Sequence, residues 1–188
     1  MSEAASRIYT CLGDDGTTGR FLGGRVSKDD VVVEACGELD ETVCALGIAR
    51  EALADDRETA ELVLLLQRHL FVVAGDLMAN PRAREKLTDG VSRTVPEMVD
   101  VVERAIDERV QHRPLRPVFV VPGTSRASAA LDLARAVCRR AERRVIEART
   151  AGSTVSDHVV AHLNRLGDLL YVLARHAAGP GDEPASHS

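Results

Sequence analysis

The sequence has 188 residues, of which 45% are apolar and 28% are charged, and its formal net charge is −5. This length and composition predict one globular domain, while a general nucleic-acid binder would normally carry a basic excess. Cys11, Cys36, Cys44 and Cys138 show neither C-x-x-C nor zinc-ligand spacing, so we expect reduced thiols in a cytoplasmic protein. The most apolar stretch, residues 62–79, is interrupted by polar residues, so no membrane span is expected.

Residues 7–28 are rich in glycine and threonine, which favours an ordered loop over a helix. After this loop, the hydrophobic pattern predicts five helices, at residues 29–53, 57–79, 95–111, 125–150 and 155–178. We therefore expect an all-α, five-helix bundle with an ordered N-terminal glycine-rich loop, forming one domain over residues 1–178. Residues 179–188 are expected to form a flexible C-terminal tail.

Local signals set the ends of these helices. Asp29 or Asp30 is the expected N-cap of the first helix, and Ser125 is the expected N-cap of the fourth. Pro96 suits the first turn of the third helix, and the second helix is expected to end before Pro81.

The fourth predicted helix carries a dense arginine cluster, RRAERR at residues 139–144. A turn of about 100° per residue places Arg135, Arg139 and Glu142 on one stripe, apart from an apolar arc. Such a stripe is most often a solvated, salt-bridged surface. The alternative is a polyphosphate clamp, because guanidinium groups offer forked donors to phosphate oxygens, with Glu142 orienting an arginine or a metal-bound water. The density of arginine in an acidic chain favours the clamp.

Two further polar positions lie on predicted helices. In the fifth helix, Asn164 and Asp168 are four residues apart, and a solvated surface is the simplest interpretation. In the first helix, Asp40 lies within a seam of small residues, where a carboxylate needs either solvent or a cationic partner. Arg135 is the candidate partner, which a neighbouring subunit could supply.

The glycine-rich loop matches neither the Walker A pattern nor G-x-G-x-x-G. Gly13, Gly16 and Gly19 nevertheless allow backbone N–H groups to converge on an anion, and Arg25 and Lys28 can add positive charge. A flexible N-terminal arm explains the same composition equally well.

His158 and His162 have the i, i+4 spacing of a metal-binding pair, but no third ligand shares their face, so no protein metal site is assigned. Phe119 lies in a short apolar segment between prolines, where it would plug one end of the bundle. No second strand-like run is available to pair with residues 118–121, so no sheet is expected.

Taken together, several segments resemble the PduO-type ATP:cob(I)alamin adenosyltransferases. They cover most of residues 7–178 and read RIYT-x-x-GDDGTTG at 7–19, RVSKDD at 25–30, VEACGELDE at 33–41, FVVPG at 119–123, ARAVCRRAERRV at 134–145 and LNRLGDLLYVLAR at 163–175. The resemblance implies a five-helix bundle that assembles as a homotrimer, with active sites between adjacent subunits. It implies ATP and cobalamin as substrates, Mg²⁺ as cofactor, and transfer of the 5′-deoxyadenosyl group to cobalt with release of triphosphate.

The same resemblance assigns roles to individual residues. The implied ATP site combines the loop with the two late helices, through Thr10, Cys11, Gly13, Thr18, Lys28, Arg139, Arg140, Glu142, Arg143 and Asn164. The implied catalytic residues are Arg135, Arg139, Asp40 and Asp168, with Arg135 pairing to Asp40 between subunits. Phe119 is implied beneath the corrin ring, where it displaces the lower axial ligand of cobalt. A flavoprotein reductase and an adenosylcobalamin-dependent enzyme are implied as further partners.

The sequence departs from the family pattern at several positions. Cys11 stands where a basic residue usually follows the Tyr-Thr pair, Thr124 replaces the second glycine of a Pro-Gly-Gly run, and Gly167 replaces a serine. Three interpretations are therefore kept: an active adenosyltransferase, a weak or non-catalytic corrinoid carrier or sensor, and a helical scaffold without a ligand. The intact arginine cluster favours the active enzyme.

Overall fold

The computed structural model describes residues 8–186, and five α-helices dominate it. They are α1 (Val31–Ala52), α2 (Arg57–Met78), α3 (Pro96–His112), α4 (Arg126–Thr150) and α5 (Asp157–Ala178). The all-α prediction is confirmed, and each helix begins and ends within two residues of its expected bounds. Among these helices of the described chain, none combines the length and the apolar content needed to cross a bilayer.

Side-chain caps explain where the helices begin. Asp30, one of the two expected caps, accepts a backbone amide hydrogen bond at 2.9 Å. Ser125 and Ser128 form a reciprocal capping box at the start of α4, and Asp56 and Ser156 cap α2 and α5. Because a cap satisfies amides that would otherwise lack a partner, losing one costs about 1 kcal/mol of stability.

Leucine, valine and alanine build the core, as the scarcity of aromatic residues requires. The largest fully buried side chains include Leu39, Leu46, Leu66, Leu70, Leu131, Leu163, Leu166 and Leu170. Burying one such side chain contributes about 1.5–3 kcal/mol, so the core is the main source of stability. α1 packs against α2 and α4, and α5 packs against α4 and α3. We call the α1–α2 side the arm face and the α4–α5 side the clamp face.

Two short antiparallel strand pairs complete the fold. β1 (Thr17–Gly19) pairs with β2 (Arg25–Ser27) inside the glycine-rich loop. β3 (Val120–Val121) pairs with β4 (Glu183–Pro184), so the expectation that no strand would partner residues 118–121 is wrong. The reason is physical: the partner comes from the end of the chain, where two residues carry no recognisable strand pattern.

The C-terminal segment also differs from its expected form. Through residue 186 it makes a 3₁₀ helix (Gly179–Gly181) and β4, and both are attached to the bundle by hydrogen bonds and an ion pair. A second 3₁₀ helix (Pro81–Lys86) follows α2. Arg7 of the first matching segment, with the residues before it, and the last two residues of the tail lie outside the described chain.

Candidate active site

The glycine-rich loop folds into an arm, residues 8–28, that its own polar groups hold together. Lys28 Nζ donates to the Gly13 carbonyl oxygen at 2.8 Å, and Arg25 Nε donates to Thr17 Oγ1 at 2.8 Å. The Thr17 hydroxyl and amide donate to Asp15 Oδ1 at 2.7 and 2.9 Å. These bonds from Thr17, with the nearby charge of Arg25, lower the pKa of Asp15. The arm therefore holds the cationic side chains of Lys28 and Arg25 in defined positions on an ordered backbone.

The tight packing around residue 13 explains why this residue is a glycine. A Cβ added at this position would lie 3.1 Å from the Thr17 carbonyl oxygen and 3.2 Å from Lys28 Nζ. Since real Cβ atoms rarely come so close to neighbouring atoms, a side chain here would displace Lys28. Gly13 therefore permits the close approach of the lysine to the loop backbone.

The arm is anchored on the arm face, at the C-terminal end of α2. The amide of Phe21 donates to the Met78 carbonyl at 3.2 Å, and the amide of Asn80 donates back to the Phe21 carbonyl at 2.8 Å. Val26 packs against the core beneath the arm. The position of Lys28 and Arg25 is thus fixed relative to α1 and α2.

Three other arm residues expected at the nucleotide have different environments. Thr10 and Cys11 are exposed, and Cys11 adopts the left-handed conformation, with a φ of 58°. Thr18 is half-buried in β1, opposite Val26 of β2. Thr10 and Cys11 therefore lie where a ligand can reach the arm, whereas Thr18 is part of the strand pair that supports it.

On the clamp face, the expected stripe of α4 lies along α5. Glu142 Oε1 accepts a hydrogen bond from Asn164 Nδ2 at 3.1 Å, and Asn164 Oδ1 accepts one from Arg165 Nη1 at 2.8 Å. Arg165 is itself held by Glu103 of α3, at 2.8 Å. The mid-helix asparagine therefore has a specific partner on α4, and the orientation of Glu142 is fixed.

Arg139 and Arg143 carry the free positive charge of this face. The side chain of Arg139 lies over Gly167, because a Cβ there would be 3.5 Å from Arg139 Cγ. Arg143 Nη1 donates to the Arg139 carbonyl at 3.0 Å. Between residues 8 and 186, neither guanidinium lies within ion-pair distance of a carboxylate, unlike their neighbours in the cluster. Two unpaired guanidinium groups are suited to an anionic ligand.

The other two arginines of the cluster point towards α1. Arg140 Nε lies 2.6 Å from Glu38 Oε2, and its Nη2 bonds Glu41, which raises the pKa of Arg140. Arg144 pairs with Glu147 at 2.7 Å and lies 3.9 Å from Glu34. The guanidinium of Arg140, expected at ATP, is therefore already engaged by two carboxylates.

An apolar cleft lies farther along the same face. It has a volume of about 510 Å³, and its walls include Phe119, Arg135, Asp168 and Tyr171. The ring of Phe119 is 89% exposed, and the Arg135 guanidinium lies over the Tyr171 ring, 5.4 Å from its centre. Phe119, predicted beneath the corrin, thus meets Arg135 and Asp168, predicted as catalytic, in one cleft with a mostly apolar lining and few charges, as is typical of small-molecule sites.

Asp40 is not part of that cleft. It is exposed on α1, and Gly47 of the same seam faces α2, because a Cβ there would lie 3.5 Å from Gln67 Nε2. Arg135 lies on α4, over the ring of Tyr171 of α5. Within residues 8–186 no ion pair joins Asp40 to Arg135, so the pairing expected between them stays a prediction. Likewise, no hydrogen bond or ion pair of residues 8–186 joins the arm to Arg139, Arg143 or Asn164.

The two histidines with metal-like spacing have unrelated environments. His158 is exposed, whereas His162 is fully buried against His69 of α2, with their ring centres 5.2 Å apart. Burial, with a smaller contribution from His69, lowers the pKa of His162 to about 3. The contact between His69 and His162 belongs to the core, and His158 lies outside it.

Sequence reasoning missed the residues that support the cleft. Arg175 is only 6% exposed and forms ion pairs with Asp132 and with Asp182. The available signal was an arginine inside an otherwise apolar helical run, since a buried cation needs carboxylate partners. Its partners are distant in the sequence, so no spacing pattern could identify them.

The chain is similar to known proteins over most of its length. A family model described as cobalamin adenosyltransferase matches residues 8–177. The corrinoid adenosyltransferase of Citrobacter freundii is 37% identical over 170 residues, which cover 90% of this chain and 93% of that protein. The Homo sapiens corrinoid adenosyltransferase MMAB is 40% identical over 178 residues, covering 92% and 69% respectively. A variant of the PduO-type ATP:corrinoid adenosyltransferase from Lactobacillus reuteri, complexed with cobalamin and ATP, has a TM-score of 0.85 at 25% identity, covering 96% of this chain and 100% of that one.

Proposed function

The chain belongs to the cobalamin adenosyltransferase family, and we propose that it transfers the 5′-deoxyadenosyl group of ATP to the cobalt of cob(I)alamin. It is an ATP-dependent corrinoid adenosyltransferase, like the relatives that it matches over most of its length. The observation that carries the detailed assignment is the clamp face itself. There, the unpaired guanidinium groups of Arg139 and Arg143 share α4 with Arg135, which lines the apolar cleft of Phe119 and Asp168.

The reaction needs positioning more than acid–base chemistry. Cob(I)alamin is a strong nucleophile, so the cobalt–carbon bond to C5′ forms as the bond from C5′ to the phosphate oxygen breaks. Triphosphate leaves with the electron pair of that bond, and no protein base is required. Holding the cobalt in line with the leaving oxygen is worth several kcal/mol of the barrier. Arg139 and Arg143 stabilise the growing charge of the triphosphate.

Mg²⁺ fits this arrangement as the counter-ion of the nucleotide. Glu142 uses Oε1 for Asn164, and its Oε2 has no hydrogen-bond or ion-pair partner within residues 8–186. A free carboxylate oxygen on the stripe that would face the phosphates suits an ion that keeps most of its waters and is bound chiefly by phosphate. Glu142 would hold a water of that ion, and the bound ion would neutralise part of the triphosphate charge.

Phe119 acts on the other substrate. Its ring offers no atom that can ligate cobalt, and it lies exposed at the apolar cleft. A ring beneath the corrin would exclude both water and the lower axial ligand. Without that ligand, cob(II)alamin is easier to reduce to the nucleophilic cob(I) state. Asp168 and Arg135 would then border the corrin on its polar side.

We propose further that the complete site forms between copies of the chain, in a homotrimer. The arm and Asp40 lie on the arm face, whereas the clamp and the cleft lie on the clamp face. A trimer in which the arm face of one copy meets the clamp face of the next would bring Lys28 and Thr10 to Arg139. It would also bring Asp40, which forms no ion pair within residues 8–186, to Arg135. A cytoplasmic location, a flavoprotein reductase and an adenosylcobalamin-dependent enzyme belong to the same proposal.

Subunit mixing tests both parts of this proposal. Lys28→Ala and Arg139→Ala should each slow the formation of adenosylcobalamin from ATP, Mg²⁺ and reduced cobalamin by about 100-fold or more, as followed by the corrinoid spectrum. Co-expression of the two variants in equal amounts should restore about a quarter of the wild-type rate, because about a quarter of randomly assembled head-to-tail sites combine the intact arm of an Arg139→Ala chain with the intact clamp of a Lys28→Ala chain.

The controls separate the alternatives. Either variant mixed with itself should stay as slow as it is alone. No recovery on mixing would place the whole site within one chain, contrary to the proposal. Corrinoid binding by the wild type without any adenosylcobalamin would instead identify a carrier or sensor.

A further inference from the structure

We propose that the C-terminal segment, residues 179–186, positions Phe119 in the corrinoid cleft through a latch formed by Asp182, Arg175 and Thr124. This inference rests on the proposed role of Phe119 beneath the corrin. It adds a set of positioning residues to the site, which are not expected to touch either substrate. Three observations carry it, namely the strand pairing at Phe119, the burial of the latch and its continuity with the cleft wall.

The segment fixes the backbone of Phe119 directly. The amide of Ala185 donates to the Phe119 carbonyl oxygen at 2.8 Å, and the next two residues, Val120 and Val121, pair with β4. The ring itself is 89% exposed, so side-chain packing does not hold it. The position of the ring is therefore set by its backbone, and the backbone is held by the C-terminal segment.

The latch holds the segment on the bundle. Asp182 Oδ1 lies 2.5 Å from Arg175 Nη1 and accepts a hydrogen bond from Thr124 Oγ1 at 3.3 Å. The side chains of Arg175 and Asp182 are only 6% and 8% exposed. The Thr124 methyl group also lies 3.4 Å from where a Cβ of Gly181 would be. A charge-assisted pair in so dry a place is strong and directional.

The latch is continuous with the cleft wall. Arg175 also pairs with Asp132, and Asp132 lines the 510 Å³ cleft beside Phe119. The Arg175 guanidinium lies 5.5 Å from the ring centre of Tyr171, another wall residue. A shift of Asp182 would thus reach both the wall and Phe119. Thr124 stands where the family pattern has glycine, so its bond to Asp182 is a property of this chain and does not follow from the resemblance.

Asp182→Asn in the full-length protein is the direct test. We expect the KM for cob(II)alamin to rise about tenfold, as for the loss of one charged hydrogen bond. The fraction of bound cob(II)alamin that is four-coordinate, read by electron paramagnetic resonance, should fall with it. The KM for ATP should stay unchanged. Glu183→Gln, which removes an exposed carboxylate one residue away, is the matched control and should behave as the wild type.

A double-mutant cycle distinguishes positioning from general stabilisation. Phe119→Ala alone should slow the reaction from cob(II)alamin and spare the reaction from chemically reduced cob(I)alamin. In that background, Asp182→Asn should have little further effect on the cob(II)alamin reaction, since the ring that it positions is gone. Thr124→Val keeps the ion pair and the shape, so it should shift the cob(II)alamin KM in the same direction by less, even if Asp182→Asn folds poorly.

The outcomes divide cleanly. Equal losses from Asp182→Asn in both backgrounds would make the latch a general stabiliser and overturn the inference. Unchanged coordination in Asp182→Asn, with Phe119→Ala impaired as expected, would overturn the latch alone. Unchanged coordination in Phe119→Ala would overturn the role of Phe119 and the latch together.

Discussion

The arm face and the clamp face build their halves of the site in different ways. On the arm face, the cationic side chains are bonded to the loop that carries them: Lys28 to Gly13, and Arg25 to Thr17. On the clamp face, Arg139 and Arg143 stand on a rigid helix without an anionic partner among residues 8–186. The loop therefore supplies a defined shape and the helix supplies uncompensated charge. A site that must hold a polyphosphate and stabilise its departure requires both.

The same contrast divides the arginine cluster of α4. Arg135, Arg139 and Glu142 meet Tyr171, Gly167 and Asn164 of α5 in antiparallel order. Arg140 and Arg144 meet the carboxylates of α1. Helix periodicity thus gives neighbouring arginines different roles. Arg139 and Arg143 are available to a ligand, whereas Arg140 and Arg144 link α4 to α1.

Arg139→Ala should have the largest effect. Removing one donor to a developing anionic charge costs about 10²–10³-fold in rate, and we expect a loss of that order in adenosylcobalamin formation from cob(I)alamin. The measurement is the corrinoid spectrum at saturating ATP.

Arg144→Ala is the matched control for this variant, because Arg144 lies on the same helix and is already ion-paired. It should keep nearly the wild-type rate. Full activity in Arg139→Ala would show that the charge of the clamp face is not used in the reaction.

His162→Phe probes the core where α5 meets α2, and so the link between the two faces. Burial keeps His162 neutral, with a pKa of about 3, whereas an exposed histidine in the unfolded chain titrates near its ordinary value of 6.5. Below about pH 6.5 the unfolded chain therefore binds a proton that the folded chain does not. The stability that neutral His162 contributes is therefore complete above about pH 6.5 and is lost as the pH falls towards 3. The loss is at most about 1.4 kcal/mol per pH unit, which is tenfold in the unfolding constant.

Denaturant unfolding at about pH 7, 6, 5 and 4 measures this slope. His162→Phe should flatten it, and His158→Gln, on the exposed side of the same helix, should leave it unchanged. The lowered pKa of His69 leaves part of the slope in the variant. Identical slopes for the wild type and His162→Phe would mean that His162 is not held neutral in the fold.

Arg140→Ala sharpens the division of the cluster. Because its guanidinium is bonded to Glu38 and Glu41, we expect its loss to slow the reaction by less than about tenfold, as a surface pair rather than a ligand contact. The melting temperature of Arg140→Ala should be slightly below that of the wild type. This difference should become smaller in about 0.5 M salt, which screens exposed charges. A rate loss equal to that of Arg139→Ala would show instead that Arg140 contacts the nucleotide.

Local signals were sufficient for the helices and for the main stripe. Asp30 and Ser125 cap as expected, and Arg135, Arg139 and Glu142 share a face because helix periodicity alone decides it. The contacts of Arg140 were not predictable, since its partners lie about a hundred residues away on α1. The same holds for Asp182, which meets Thr124 across 58 residues of sequence. Two-residue strands and buried ion pairs depend on the assembled fold, so the sequence carries no periodic trace of them.

The smallest expected effect concerns the charge balance between the two faces, and Cys11→Lys tests it. Cys11 is exposed on the arm and stands where the family pattern has a basic residue. A lysine there would add a cation to the face whose own cations are bonded internally, and should lower the KM for ATP about two- to fivefold, the size of an exposed charge interaction. Cys11→Ser, which adds no charge, should leave the KM for ATP unchanged. Because residue 11 has a φ of 58°, the two variants carry the same backbone strain. Because the added cation is exposed, the gain should shrink as ionic strength rises. An unchanged KM in Cys11→Lys at low salt would mean that Lys28 or Arg25 already supplies this charge, and the arm would then be a source of charge as well as shape.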